Sequence, residues 1–265
     1  MTDRLAFITA RDGLETDQRE GEALVFLHGF GGVAAQWQGW LNSFAPHIKT
    51  LAFDLPGHGA SLDYPGFGPP KVAARAVLAD TADMGFERLH LVGHSMGGAI
   101  ASLMALFAPD RIASMTLLAP GGYGPGINHG LLTRWAGASE REEIATLLPN
   151  FFGPDYEIHT KLVDFTTTAR QRENLTDRLQ EIAKGLARDG VQGQLPVDDI
   201  MALDIPKAVI WGTHDHVLPV DQAYSLQLMA DQGLVSLHIV NKMGHSPAEE
   251  ARGLVTEIIQ GHLGL

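Results

Sequence analysis

The chain has 265 residues, 45% of them hydrophobic and 19% charged, which excludes a disordered polymer and is long enough to bury a core without metals or disulfides. Its 31 acidic residues against 19 basic ones leave a net charge of −12 and no basic stripe, which argues against nucleic acid and against an anionic membrane as partners. Cysteine is absent, so disulfides, thiolate metal sites and a cysteine nucleophile are excluded together.

In chain order, Met1-Thr2-Asp3-Arg4-Leu5-Ala6-Phe7 lacks the apolar core of a secretion signal, and the most apolar stretch, 99–108, is too short to span a bilayer. The expectation is a soluble cytoplasmic protein. Short β-rich apolar runs at 23–27, 50–53, 89–92 and 114–118 are bounded by Gly, Pro or Asp, and the later ones alternate with helical patterns. Such continuous apolar runs suggest parallel strands buried on both faces. Ile100, Leu103, Met104 and Phe107 repeat at helical spacing, and Pro109 closes that helix.

Residues 121–200 change character. They open Gly-Gly-Tyr-Gly-Pro-Gly and then read almost wholly helical. Ser139 and Glu142 make a capping box before Ile144 and Leu147, and Leu175, Leu179, Ile182 and Leu186 form a stripe. Runs at 208–211 and 235–240 then read as strands. The last helix has Ser246 at its N-cap, Pro247 in its first turn and Glu249 completing a box, with Ala251, Leu254, Val255, Ile258 and Ile259 inward. The expected architecture is α/β: a mostly parallel, doubly wound sheet from 1–120 and 201–265, with 121–200 inserted as a helical cap.

Gly93-His94-Ser95-Met96-Gly97 matches the G-x-S-x-G elbow, a weak pattern alone. Its setting between a strand and an amphipathic helix sets it apart from an ordinary Gly-rich turn. A serine hydroxyl needs a base. Of the 12 histidines, His245 stands in a short loop between the last strand and the last helix. Asp215, just after the strand ending at Trp211, is the acid that would fix its tautomer. Asp54 is the rival acid, though Asp54-Leu55-Pro56-Gly57-His58-Gly59 reads better as a turn. The backbone N–H groups of Phe30, in His28-Gly29-Phe30-Gly31-Gly32, and of Met96 are the candidate oxyanion donors. Trp135, Phe151 and Phe152 either line an apolar pocket under the cap or belong to the cap's own core. His214 and His216 lack a third spaced ligand, so no metal is expected. The glycines at 121–126 do not make a dinucleotide fingerprint, so no cofactor is expected.

With His28-Gly29-Phe30-Gly31, Asp54 to Gly59, Gly93 to Gly98, Trp211 to Asp215 with Pro219, and Gly244-His245 in this order, the sequence resembles the α/β-hydrolase superfamily over nearly its whole length. The resemblance implies a mostly parallel sheet with a helical cap after its sixth strand, Ser95, Asp215 and His245 as triad, and Phe30 and Met96 as oxyanion donors. Segment 118–128 is similar to the entry into the cap of meta-cleavage product hydrolases and of the hydrolase-like acetyltransferase component of acetoin dehydrogenase complexes. That component carries a lipoyl domain, and the stretch before Ala23 is too short for one, which points away from lipoyl-linked acetyl transfer. Carbon–carbon hydrolases usually carry Asn at the position of His94 and tend to carry Trp at that of Ser246.

The expected function is a serine hydrolase of small carboxylic esters or lactones that works through an acyl-enzyme. The alternatives are hydrolysis of a carbon–carbon bond in a vinylogous 1,5-diketone, and a low-turnover ligand-binding sensor on the same fold. The partner is a small-molecule carbonyl substrate.

Overall fold

The computed structural model describes residues 4–11 and 19–265. The secretion-signal reading falls in part on Met1, Thr2 and Asp3, which lie outside the described residues. The strands are β1 (Phe7–Thr9), β2 (Glu22–Leu27), β3 (Lys49–Phe53), β4 (Arg88–His94), β5 (Ile112–Leu118), the short β6 (Ala187–Arg188) and β7 (Val191–Gln192), then β8 (Lys207–Gly212) and β9 (Ser236–Val240). Seven of them form one sheet in the order β1-β3-β2-β4-β5-β8-β9.

The apolar runs read from sequence become the parallel strands β2, β3, β4, β5, β8 and β9. β1 escaped the sequence reading because three residues carry little periodicity. It pairs antiparallel with β3, Phe7 opposite Phe53. β2 explains why its run is continuously apolar. Ala23, Val25 and Leu27 join the core on one face, and Leu24 and Phe26 meet Trp37 and Trp40 on the other. Each buried Val, Leu or Phe among them contributes about 1.5–3 kcal/mol.

The crossover helices cover both faces. Helix α1 (Gln38–Phe44) packs on the Leu24 side, while α2 (Pro70–Asp83) and α3 (Met96–Phe107) pack on the Val25 side. The inward face of α3 differs from the expected stripe. Ile100 and Met104 are buried, but Phe107 is 43% exposed and lies under the Arg75 guanidinium. The reason is close approach: the small Ala101 and Ala105 take the buried positions, in line with glycines at the helix start that touch strand backbone.

Between β5 and β8 the chain adds no strand to the main sheet. It builds α4 (His129–Gly137), α5 (Arg141–Leu147), α6 (Thr160–Arg170), α7 (Leu175–Leu186), the β6–β7 hairpin and α8 (Val197–Met201). Among the described residues five sheet strands precede this block, not six. Nor is it almost wholly helical, since the hairpin and the open segment before α4 interrupt it. The Ser139 box does not form. Glu140 takes the N-cap without a side-chain bond, while the Ser139 carbonyl accepts from the Gln171 side chain. Ile144, Leu147, Leu175, Leu179 and Ile182 are buried as expected, and Leu186 is half-buried.

After β8 come α9 (Asp221–Tyr224) and α10 (Gln227–Asp231). The final helix is two: α11 (Pro247–Glu250) and α12 (Arg252–Leu263), broken at Ala251 with φ −127°. The break turns the inward face, so Val255, Ile259 and Leu263 are buried, while Ala251, Leu254 and Ile258 are half-buried. Among the described residues no helix is long and apolar enough to cross a membrane.

Candidate active site

β2 is flanked by β3 on one side and β4 on the other, so successive crossovers leave it in opposite directions. Open α/β sheets leave a crevice at such a reversal, outside the strand carboxyl ends. The 28–32 loop follows β2, Ser95 follows β4, Asp215 follows β8 and His245 follows β9. The expected triad and oxyanion residues therefore all leave the same end of the sheet, past the carboxyl ends of its parallel strands.

Ser95 has φ 53° and ψ −114°, a conformation that costs a non-glycine residue about 1–3 kcal/mol. Glycines make the turn feasible. A Cβ on Gly97 would lie 2.2 Å from the Leu27 carbonyl oxygen, and one on Gly93 would lie 2.4 Å from that of Gly97. The turn is held by Ser95 N–H donating to the Leu118 carbonyl at 2.9 Å and by Gly121 N–H donating to the Ser95 carbonyl at 2.9 Å.

Asp215 and His245 are buried and joined by a 2.7 Å hydrogen bond from the ring Nδ1 to Oδ2. The other Asp215 oxygen accepts from Val217 and Leu218 N–H, each at 2.8 Å, so the carboxylate is aimed at the ring. His245 and Ser95 line one cavity, with no hydrogen bond between hydroxyl and ring. Such bonds commonly tighten only with substrate present. Asp54 stands elsewhere. Its two oxygens accept from Ala34 and Ala60 N–H, each at 2.7 Å, which makes it a clamp on loops.

The loop of His245 is fastened by a residue other than the expected one. Glu250, not Glu249, reaches back: its carboxylate accepts from Gly244 N–H at 3.0 Å, Ser246 N–H at 3.2 Å and Gly153 N–H at 2.7 Å. The Ser246 side chain makes no cap bond.

The N–H groups of Phe30 and Met96 have no hydrogen-bond partner among the described residues. Met96 is also the first residue of α3, where orphan N–H groups favour negative charge. Two buried histidines hold the 28–32 loop. Gly31 N–H donates to His58 Nε2 at 3.1 Å, and Leu55 N–H donates to His28 Nε2 at 3.0 Å. Burial lowers the pKa of both, and the acceptor role requires the neutral ring.

Two chambers meet at Ser95. One, of about 470 Å³, is walled mainly by apolar residues including Phe67, Met96, Ile127, Ile182, Leu195 and Val217. The other, of about 160 Å³, contains His245 together with Trp135, Phe151 and Phe152. Phe30 and Leu132 border both. The three aromatic residues thus line a chamber and pack there, with Trp135 and Phe151 ring centroids 4.8 Å apart.

The smaller chamber also holds Arg170, which sequence reasoning missed. An arginine at the end of a polar helix reads as a solvated charge, yet this one is 3% exposed. Burial pulls its pKa down to about 10, so it stays cationic near neutral pH. Among the described residues no group of three or more His, Cys, Asp or Glu is arranged to hold a metal ion.

Comparisons with known proteins bear on the family and the fold. The model of the alpha/beta hydrolase family matches residues 24–257. The dihydrolipoyllysine-residue acetyltransferase component of the acetoin cleaving system of Cupriavidus necator is 29% identical over 251 residues, 92% of this chain and 64% of that protein. The chain thus spans less than two thirds of that relative's length. The 2-hydroxy-6-oxo-6-phenylhexa-2,4-dienoate hydrolase of Comamonas testosteroni is 30% identical over 245 residues, 85% of this chain and 82% of that one. A crystal structure of a meta-cleavage product hydrolase shares the fold with a TM-score of 0.83 at 18% identity, covering 98% of this chain and 94% of its own. With the family pattern running from β2 into α12 and the sheet built as that family builds it, the chain belongs to the alpha/beta hydrolase family.

Proposed function

We propose that the protein is a serine hydrolase that cleaves a small carboxylic ester or lactone bearing a carboxylate, through an acyl-enzyme. The observation that carries this reading is the buried 2.7 Å Asp215–His245 pair, opening into a cavity it shares with Ser95 on a strained elbow. Residues 121–200 act as the cap that walls the chambers.

His245 Nε2 takes the hydroxyl proton as Ser95 Oγ attacks the carbonyl carbon. Asp215 keeps Nδ1–H bonded and stabilises the imidazolium without taking its proton. The unpartnered Phe30 and Met96 N–H groups face the developing oxyanion. The carbon–oxygen bond breaks, His245 gives its proton to the leaving alkoxide, and the acyl group remains on Ser95. Water then attacks, with His245 again as base, and the acid leaves. This reaction consumes water alone, so no cofactor is required.

Arg170 supports the anionic substrate. Its Nη1 and Nη2 are buried without acceptors among the described residues, and a carboxylate in the smaller chamber supplies two in the fork geometry that guanidinium favours. The same residue favours a second reading, carbon–carbon hydrolysis of a dienoate, and the name of the Comamonas testosteroni relative, 30% identical, favours it too. A low-turnover sensor is the third reading. The intact acid–base pair speaks against it, since binding alone needs none.

The test is Ser95→Ala, assayed with p-nitrophenyl esters, half-esters of dicarboxylic acids, and a 2-hydroxy-6-oxo dienoate. Parent turnover of the half-esters with none by the variant supports the ester reading. Turnover of the dienoate alone moves the assignment to carbon–carbon cleavage. Equal rates for parent and variant end the serine mechanism.

A further inference from the structure

We infer that His94 is the positioning residue of the base: from within the elbow, its side chain holds the backbone of His245. The inference rests on the proposed role of His245. The His94 ring Nε2 lies 2.6 Å from the His245 carbonyl oxygen. A carbonyl only accepts, so Nε2 carries the proton and Nδ1 is bare. Nδ1 faces the 28–32 loop, where a Cβ on Gly29 would lie 3.0 Å from it. One half-buried ring therefore touches the loop of donors and the loop of the base, and it is bonded in sequence to the nucleophile. The two imidazoles lie 4.9 Å apart between centroids, tilted by 50°.

The backbone of residue 245 is held at both ends. Its N–H donates to the Phe151 carbonyl at 3.0 Å, and its carbonyl accepts from His94. Without His94 that carbonyl is a buried acceptor with nothing to accept, and the loop turns to find a donor. A displacement of about 1 Å in the base is enough to lose about 10²-fold in rate. Burial and the adjacent His245 keep the His94 pKa near 3, so a neutral ring lies beside the imidazolium as it forms.

The experiment compares the parent, S95A, H94F and H94Q on the substrate turned over best, with thermal melts and with the rate of fluorophosphonate labelling at Ser95. Phe keeps the ring and removes the donor, while Gln restores a donor at similar reach. H94F is expected to lose about 30–100-fold in kcat. KM should stay within about twofold and labelling should slow by the same factor as kcat, with H94Q recovering most of both. Parent-like kcat in H94F, a loss residing in KM, or a folded H94Q as slow as H94F overturns the inference. If H94F does not fold, H94M takes its place as the donor-less variant. Activity retained in S95A overturns the serine mechanism itself, whereas an inactive S95A beside a fully active H94F overturns only the role of His94.

Discussion

The guanidinium of Arg170 lies 4.7 Å over the Trp135 ring, yet neither terminal nitrogen meets a hydrogen-bond acceptor among the described residues. The ring face offsets part of the desolvation of a buried cation, and the rest is a standing cost to the fold. Nearby geometry keeps the side chain in place: a Cβ on Gly31, where φ is +74°, would lie 2.7 Å from Nη2.

Arg170→Met should therefore separate stability from activity. Replacing an unpaired buried cation by an apolar chain is expected to raise unfolding free energy by about 1–3 kcal/mol in urea titration. The same variant should raise KM for carboxylate-bearing substrates by about 10–100-fold and leave that for neutral esters within a few-fold. A lower urea midpoint together with unchanged KM would contradict both halves.

Asp215→Asn retains the side-chain oxygen that accepts from Val217 and Leu218 but presents its amide NH2, a donor, to His245 Nδ1. The imidazolium loses its counter-charge and the ring its fixed tautomer. Loss of kcat on the order of 10³–10⁴ is expected, with a melting temperature close to that of the parent. Steady-state kinetics beside a thermal melt checks it.

Stability should fall on the acid side. Burial, with a smaller push from His90, lowers the His262 pKa to about 4, and His28 and His58 are lowered by burial as well. A histidine depressed in the fold takes up its proton more readily when unfolded, near its ordinary value of about 6.5. Its contribution is complete above that pH and is lost as pH falls from about 6.5 toward 4. Urea midpoints from pH 8 to 4 should be flat above 7 and decline below. His262→Gln, which keeps a partner for Thr116 Oγ1, should make that decline shallower.

Two glycines offer a matched pair. Gly97→Ala places a methyl 2.2 Å from the Leu27 carbonyl oxygen, in backbone that has no room to yield. Destabilisation of about 2–3 kcal/mol is expected, together with displacement of the Met96 N–H. Gly185→Ala, inside α7 with nothing within 4 Å, should instead stabilise by about 0.5–1 kcal/mol. Chemical denaturation of both variants decides it.

The parallel strands and Ser95, Asp215 and His245 were legible because their signals are local. An apolar run between turn residues, a serine between strand and helix, and an acid and a base each just past a strand all lie within a few positions of their cause. The Ser139 and Ser246 boxes were misread because Glu140 rather than Ser139 stands at the N-cap of α5, with the Ser139 carbonyl engaged by the distant Gln171, and because Glu250, one residue past Glu249, takes the Ser246 N–H.

Sequence by itself determined the six parallel strands and which residues stand at their ends, since apolar runs, helical period and turn chemistry are properties of neighbouring residues. Tertiary structure alone decided that Arg170 faces inward without an acceptor, that His94 meets His245 across 151 positions, and that two chambers meet at Ser95. Each of those depends on where helices from the 121–200 block and loops from distant strands settle against one another. That is a matter of packing and desolvation between segments, on which no short window of residues carries information.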